Sequence, residues 1–411
     1  MRLLVVTQYF WPENFRVNDL VAELVQRGHQ VTVLTGLPNY PDGKVFDRFV
    51  EDPSQYLSYE GAEVVRVPML PRGRGGFRLL LNYITFAASA SIVGAWKLRG
   101  RRFDAIFAYE PSPITVGLPA ATLRRLKRAP LVFWVLDLWP ETLQAIGVVK
   151  SPAVLRAVGK LVAYIYRRCD VVLAQSRSFI PQIRKYAGEA ARIEYFPSWA
   201  EAVFESVSVE PASDVPTQPG AFNIMFAGNI GDAQDFPAIL DAAQALKDDE
   251  NIRWLIVGDG RAGPWVSDEI RRRGLERQVL MLGRHPLQRM PSLFAHAQAL
   301  LVSLKDEPIF SMTIPGKLQA YLAAGIPVLA MLNGEGAELV RRSNAGLTCA
   351  AGDHTGLASA ALQLSRMSAA ERAAMGERGR AVCAEEFDRA TLIRRLEHYL
   401  LSASNGDAAR G

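Results

Sequence analysis

A chain of 411 residues is too long for one ordinary hydrophobic core, and it predicts two domains of roughly 200 residues each. Its 49% hydrophobic and 22% charged content describes a globular protein and excludes a disordered or fibrous one. Three widely separated cysteines, Cys169, Cys349 and Cys383, fit a reducing compartment and argue against a disulfide framework or a Cys-rich metal site. The formal charge of +5 hides an asymmetry. Residues 1–200 hold 26 Lys+Arg against 16 Asp+Glu, and residues 201–411 hold 21 against 26. A basic first half either faces something anionic, such as lipid headgroups, a lipid-linked phosphate or nucleic acid, or is simply a solvated surface.

The chain opens directly into an apolar run, Leu3–Thr7, with no apolar leader and cleavage site, so no signal peptide is expected. Helical spacing follows over Asn18–Arg27 through Leu20, Val21, Leu24 and Val25. Gly28 stops that helix, and Val31–Thr35 reads as a second strand. This βαβ opening implies a parallel sheet with helices on both faces. Further buried strands are predicted at Ala105–Ala108, Leu131–Leu136 and Val171–Ala174. Between them, Leu79–Leu98 is largely apolar and is flanked by Arg72, Arg74, Arg78, Arg99, Arg101 and Arg102. Asn82, Thr85, Ser89, Ser91 and Lys97 interrupt it, so it reads as a core or membrane-surface helix before a spanning one.

Residues 199–220 break the rhythm, and the prolines of Glu205–Gly220 mark a linker over 201–220. The βα alternation then restarts: Asn223–Ala227, a helix at Pro237–Lys247, Arg253–Val257, Val279–Leu282, Ala299–Ser303 and Pro327–Ala330. Residues 366–402 read as an amphipathic helical tail, with Ser402–Gly411 frayed. The predicted organisation is a first domain over 1–200, the linker, a second domain over 221–385, and a last helical segment, 386–411, packing back on the first domain.

Several junctions are placed to carry chemistry, because open α/β sheets bind ligands at the carboxyl ends of their strands. The loop Gln8–Asn18 follows the first strand; within it Asn14, Phe15 and Arg16 border a cleft, and Arg16 either meets a phosphate or is an ordinary surface residue. Asp137 ends the strand Leu131–Leu136 and is followed by Trp139, Pro140 and Glu141; it either binds or helps deprotonate an acceptor hydroxyl, or caps the next helix. In the second half, Gly228, Asn229 and Gly231 follow one strand, and Gly258, Asp259 and Gly260 follow the next. Such glycine pairs either let backbone amides approach a diphosphate or simply meet the steric needs of a βα turn.

The richest stretch is Leu304–Val328. Thr313 is predicted as an N-cap, Pro315 and Gly316 fall in the first turn, Leu318, Tyr321 and Leu322 give an apolar face, and Gly325 ends the helix. Either free amides, the helix dipole and Lys317 together form an anion site, with Glu307 upstream placed for sugar or ribose hydroxyls, or this is a routine helix whose Lys317 is solvated. Five scattered histidines show no metal-ligand spacing, and neither GxSxG, a Walker A loop nor a nucleic-acid module is present.

The phrase Pro315-Gly316-Lys317 with Tyr321–Val328 resembles the donor-binding motif of family 4 glycosyltransferases. The segments Gln8–Glu13, Arg27–Gly36, Pro38–Pro41 and Asp137–Glu141 resemble the subgroup that serves bacterial O-antigen, capsule and colanic acid assembly. The resemblance implies a GT-B fold, two Rossmann-like domains facing each other across a cleft. It also implies a retaining, metal-independent transfer with no cofactor from a UDP- or GDP-sugar, mostly held by the second domain. Asp137 and Lys317 would serve catalysis, and Arg284 would join the donor grip. The implied acceptor is a polyprenyl-diphosphate-linked saccharide at the anionic inner membrane, reached from the cytoplasm by a peripheral protein. A GT-B sugar-nucleotide epimerase and a non-catalytic nucleotide-sugar binder are the alternatives. At the donor grip this chain departs from the family pattern: Asn229 and Gln234 stand where many members carry Arg and Lys. Met312 and Ala320 occupy the two positions of a Glu-x7-Glu motif, unless Phe310–Ile314 is an insertion and Glu307 is the first glutamate.

Overall fold

The computed structural model describes every residue except 42, 74, 146, 148, 205–208 and 409–411. Arg74 of the flanking arginines, Glu205 to Ser208 of the expected linker and the last three residues of the expected frayed end therefore lie outside the described residues. The chain divides into two compact units, one of Met1–Phe196 with Ala390–Gly411 and one of Pro197–Arg389.

Unit 1 is built on eight strands: β1 Arg2–Val6, β2 Gln30–Thr35, β3 Ser58–Tyr59, β4 Ala62–Arg66, β5 Ala105–Glu110, β6 Leu131–Val135, β7 Val171–Ala174 and β8 Ile193–Tyr195. Their order is β3-β4-β2-β1-β5-β6-β7-β8, parallel throughout except for the antiparallel β3–β4 pair. Every position of β5 and β6 is buried, as expected for central strands covered on both faces by crossover helices. The β3–β4 hairpin turns through Glu60 and Gly61, both at positive φ (47° and 86°), a two-residue connection that matches strand twist. Sequence periodicity misses β3 and β8 because they are two and three residues long.

Unit 2 carries six parallel strands: β9 Phe222–Ala227, β10 Ile252–Val257, β11 Val279–Gly283, β12 Ala299–Ser303, β13 Val328–Met331 and β14 Gly346–Cys349, in the order β11-β10-β9-β12-β13-β14. In both sheets the strand order reverses beside the first strand, at β1/β5 and at β9/β12. A ligand crevice is expected outside the carboxyl ends of those pairs.

Three sequence expectations are corrected. The described residues of 201–220 pack onto unit 2 and are not a free linker. Phe204 stacks on Phe294 at 5.4 Å, Ala212 and Val215 are buried in the core of unit 2, and His296 Nε2 lies 2.8 Å from the Ala212 carbonyl. Their apolar side chains are too widely spaced to show a period, yet burial holds them. The expected helical tail is present as Ala369–Glu386 and Arg389–Ala408, but its end does not fray at Ser402: the last helix continues through Ala408. Within unit 1, Glu397 of the last helix meets His29 at 2.8 Å and Arg27 at 3.2 Å.

The apolar segment is not a core helix. It runs over Gly76–Lys97 as one rod with a π-turn at Ala90–Gly94, and only 28% of its most apolar window is buried. By length and composition it is long and apolar enough to cross a membrane. Phe77 (73% exposed), Leu80, Ile84, Ile92 and Trp96 (62%) face outward. Asn82 and Lys97, two of the polar residues that interrupt it, are its anchors. Buried Asn82 accepts from Gln8 Nε2 at 2.7 Å and donates to the Leu70 carbonyl at 2.7 Å, and Lys97 Nζ donates to the Arg66 carbonyl at 2.8 Å. Thr85 and Ser91 return their hydroxyls to carbonyls four residues back. Asn82→Ala removes both of these hydrogen bonds, so urea unfolding is expected to show a loss of about 1–2 kcal/mol. A loss below a few tenths would show that the anchor does not hold the helix.

Candidate functional site

In unit 2 the helix Gly316–Ala324 follows β12 by way of the short helix Pro308–Ser311, so its N-terminus lies on the path leaving the β9/β12 reversal. Pro315 takes the N-cap position, and Gly325 closes the helix in the left-handed conformation (φ 67°). Thr313 is therefore not the N-cap. Its hydroxyl donates to the Ile309 carbonyl at 2.9 Å, because Pro308–Ser311 forms its own helical turn and takes Thr313 with it.

Lys317 is the anomaly of this unit. Its Nζ is buried with no hydrogen-bond partner, and it sits 3.7 Å from the centroid of the Phe226 ring on β9. Burial pushes its pKa down from 10.5 to about 7. A cation–π contact supplies about 0.5–2 kcal/mol, whereas an uncompensated buried ammonium costs several. Desolvation wins, and the site is left short of a negative charge. A Cβ on Gly228 would come within 2.9 Å of that Nζ, so the glycine at the end of β9 makes room for the lysine.

Tyr321 locks this arrangement. Its hydroxyl accepts the Ala227 amide at 2.9 Å and donates to the Ala227 carbonyl at 3.1 Å, which fixes the end of β9 against the helix carrying Lys317. Gln319, fully inside, turns its amide nitrogen to the carbonyls of Pro315 and Gly316 at 3.0 and 2.9 Å. Apolar periodicity reads Tyr321 as core and gives no sign of its hydroxyl's task. Apolar periodicity likewise gives no sign of Gly334 and Gly336, which let the start of the helix Gly334–Ser343 press on Ser311 and Pro315.

Of the two readings of the glycine turns, the steric one matches the contacts found. The amides of Gly228 and Gly258 donate to Val257 and Gly283 carbonyls at 2.9 and 2.8 Å, Gly231 to Gln234 Oε1 at 3.1 Å, and Gly260 to Asp259 Oδ1 at 2.6 Å. A Cβ on Gly258 would sit 1.8 Å from the Gly228 carbonyl, and one on Gly260 2.3 Å from that of Ile230. These glycines thus let two neighbouring turns touch, and their amides are engaged within the chain. Asn229, Asp259 and Arg284 are exposed around them. Glu307 is half-buried and caps the turn Pro308–Ser311, its carbonyl accepting from Phe310 and Ser311 at 2.9 and 3.2 Å. Ala320, where the resemblance expects a glutamate, is buried, and Met312 is half-buried.

In unit 1 the loop after β1 is organised by Glu13, which the sequence reading did not single out. Its carboxylate accepts the amides of Asn39 and Tyr40 at 2.7 Å each and of Phe10 at 3.1 Å, joining the loops after β1 and β2. Burial raises its pKa to about 7 against those three amides and Arg66. Asn14 is exposed, Phe15 packs on Tyr9 and Tyr40 with centroids 5.3 and 5.2 Å away, and Arg16 opens the helix Arg16–Gln26. At the end of β6, Asp137 accepts from the Thr142 hydroxyl at 2.5 Å and from the Trp139 indole at 3.2 Å. Beside it stands Glu110, buried at the end of β5, whose Oε2 lies 3.4 Å from the Asp137 amide. Burial raises both carboxyls, Glu110 further because of the Asp137 charge. Ser112, at φ 101°, hydrogen-bonds Asp137 from a backbone conformation that costs a non-glycine residue about 1–3 kcal/mol. Glu141 accepts from the Tyr186 hydroxyl at 2.9 Å.

Comparison with known proteins decides the family. Residues 14–199 match the Glycosyl transferase 4-like domain, and residues 221–367 match Glycosyl transferases group 1. The chain belongs to the GT-B glycosyltransferases. This glycosyltransferase is 28% identical to the probable glycosyltransferase WbjE of Pseudomonas aeruginosa over 275 residues, 63% of this chain and 66% of that one. It is 26% identical to the putative colanic acid biosynthesis glycosyl transferase WcaI of Escherichia coli over 341 residues, 79% and 82% of the two chains. Its fold matches HepE of Anabaena, crystallised with UDP and glucose, at a TM-score of 0.68 and 18% identity over 98% of this chain and 100% of that one.

The buried lysine makes this glycosyltransferase less stable near neutrality than it need be. Folding lowers the proton affinity of Lys317, so between about pH 7 and 10.5 the folded chain holds fewer protons than the unfolded one. The Lys317 contribution therefore grows more favourable as pH rises across that window, and the penalty is complete below it. Lys317→Met is expected to stabilise the ligand-free protein by roughly 1–3 kcal/mol at pH 7 and to flatten that rise. Urea midpoints at pH 7 and 9.5 measure it. A destabilised Met variant at pH 7 would show that the ammonium has a partner.

Proposed function

We propose that this glycosyltransferase moves a sugar, with retention of configuration, from a UDP- or GDP-sugar to a polyprenyl-diphosphate-linked saccharide. The process served is O-antigen, capsule or exopolysaccharide assembly at the cytoplasmic face of the inner membrane. The observation that carries the reading is the unpartnered Lys317 ammonium at a helix N-terminus beside the β9/β12 reversal. A diphosphate is the ligand whose charge such a site lacks. The name of WcaI supports the process, that of WbjE supports the activity, and the UDP and glucose bound by HepE support the donor class.

In the proposed reaction the acceptor oxygen attacks the anomeric carbon from the face that the diphosphate leaves. The C–O bond to the diphosphate breaks with both electrons on oxygen, and the acceptor proton passes to the departing phosphate. The barrier falls mainly through stabilisation of the growing phosphate charge by Lys317 and the helix dipole, with no protein nucleophile and no cofactor. Asp137, held by Thr142 and Trp139, orients the acceptor hydroxyl by accepting its hydrogen bond. Asn14, Arg16 and Glu141 border the acceptor, while Asp259, Arg284 and Glu307 take the donor's nucleoside and sugar hydroxyls. The outward apolar face of Gly76–Lys97, with Arg72, Arg78, Arg99, Arg101 and Arg102 around its ends, supports attachment to an anionic bilayer.

A thermal-shift screen of UDP- and GDP-sugars, followed by transfer to a diphosphate-linked acceptor, tests the reading. Lys317→Met is expected to lose the donor-induced shift and to cut transfer by at least about 100-fold, the scale of losing one transition-state donor. Undiminished transfer would remove Lys317 from the site. Donor binding without transfer to any acceptor would favour a non-catalytic binder.

A further inference from the structure

Unit 1 holds a groove of about 740 Å³ between the helices Pro152–Tyr166 and Phe179–Ala187, bordered by Pro140. Five cations line it: Arg156, Lys160, Arg167, Arg168 and Lys185. The helix Pro152–Tyr166 contains neither Asp nor Glu, so no pair along its own surface neutralises Arg156 or Lys160. Among the described residues none of the five forms an ion pair. What holds them is neutral. Arg167 Nε donates to the Tyr186 carbonyl at 3.2 Å, and Arg168 Nη1 to the Tyr164 carbonyl at 2.9 Å. Arg168 also lies 3.5 Å from the Tyr164 ring centroid, and Lys185 lies 5.4 Å from that of Tyr186. Arg167 and Arg168 each spend one N–H on a carbonyl and keep others for a ligand.

The floor between these charges is apolar: Leu155, Ala163 and the ring of Tyr186. Gly159 sets its depth, since a Cβ there would stand 3.2 Å from the Tyr186 ring. Tyr186 is fixed by its hydroxyl on Glu141, one residue beyond Pro140. The groove thus abuts the segment Asp137–Glu141. Guanidinium forks match phosphate oxygens, and an apolar floor between them matches a hydrocarbon chain. A neutral saccharide would use neither feature.

From these features we infer that the groove binds the phosphate end of a prenyl diphosphate, with its first isoprene units on the floor formed by Leu155, Ala163 and Tyr186. This inference rests on the acceptor reading and gives the acceptor's lipid anchor a place in unit 1. It assigns Arg156, Lys160 and Lys185 to acceptor affinity, apart from the donor grip at Lys317.

Calorimetric titration of the full chain with farnesyl diphosphate, farnesol and inorganic pyrophosphate is the test. Farnesyl diphosphate is expected to bind at least about tenfold more tightly than either fragment. The double variant Arg156→Ala/Lys160→Ala is expected to lose about tenfold of that affinity, the scale of charge-assisted contacts, while its UDP binding and melting temperature stay those of the parent. Equal binding of pyrophosphate would make this a free-phosphate site and overturn the proposal. So would a variant that binds farnesyl diphosphate unchanged, or one that loses only its attachment to anionic phospholipid vesicles. Groove-dependent farnesyl diphosphate binding in a protein that transfers to no diphosphate-linked saccharide would keep the groove and overturn the acceptor reading.

Discussion

An ammonium group inside unit 2 has no counter-charge, and the neighbouring structure is arranged around keeping it there. Lys317 Nζ lies over Phe226, Gly228 gives it room, and the Tyr321 hydroxyl ties the end of β9 to the helix that bears it. Packing holds the charge where solvation would not, so the free protein stores an electrostatic deficit that an anionic ligand removes. A donor diphosphate would gain from that deficit at binding. The growing negative charge of a leaving diphosphate would gain more, which is the difference catalysis requires.

Unit 1 is organised by buried carboxyls of the opposite kind. Glu13 gathers the amides of two loops, and Glu110 and Asp137 stand at adjacent strand ends with Ser112 held between them. Burial raises all three pKa values, so these groups sit in an environment that disfavours charge. For Asp137 that environment strengthens any hydrogen bond it accepts from a substrate hydroxyl.

Much of the fold is legible in the sequence because β1, β5, β6 and β9 are continuous apolar runs followed by helical periods, and Gly325 marks a left-handed stop. Local signals fail where long-range contacts decide. Thr313 has the residue type of an N-cap, but the turn Pro308–Ser311 claims its hydroxyl. Phe204, Ala212 and Val215 carry no period, yet they pack the expected linker onto unit 2. The glycine turns look like phosphate loops, and the contact between Gly228 and Gly258 supplies a packing reason that sequence cannot display. Lys317 was legible as a cation at a helix start; its burial was not, because Phe226 stands ninety residues earlier and meets it only in three dimensions.

The central claim is that burial holds Lys317 short of its usual charge until a diphosphate supplies the missing partner. Titrating UDP at pH 8 by calorimetry, in buffers of different ionisation enthalpy, measures the protons taken up on binding. With a free pKa of about 7, Lys317 is roughly one-tenth protonated at pH 8, and a bound diphosphate restores its charge. Uptake of just under one proton is the predicted result, falling away toward pH 6 and absent in Lys317→Met. Binding of UDP at pH 8 with no proton uptake would contradict it.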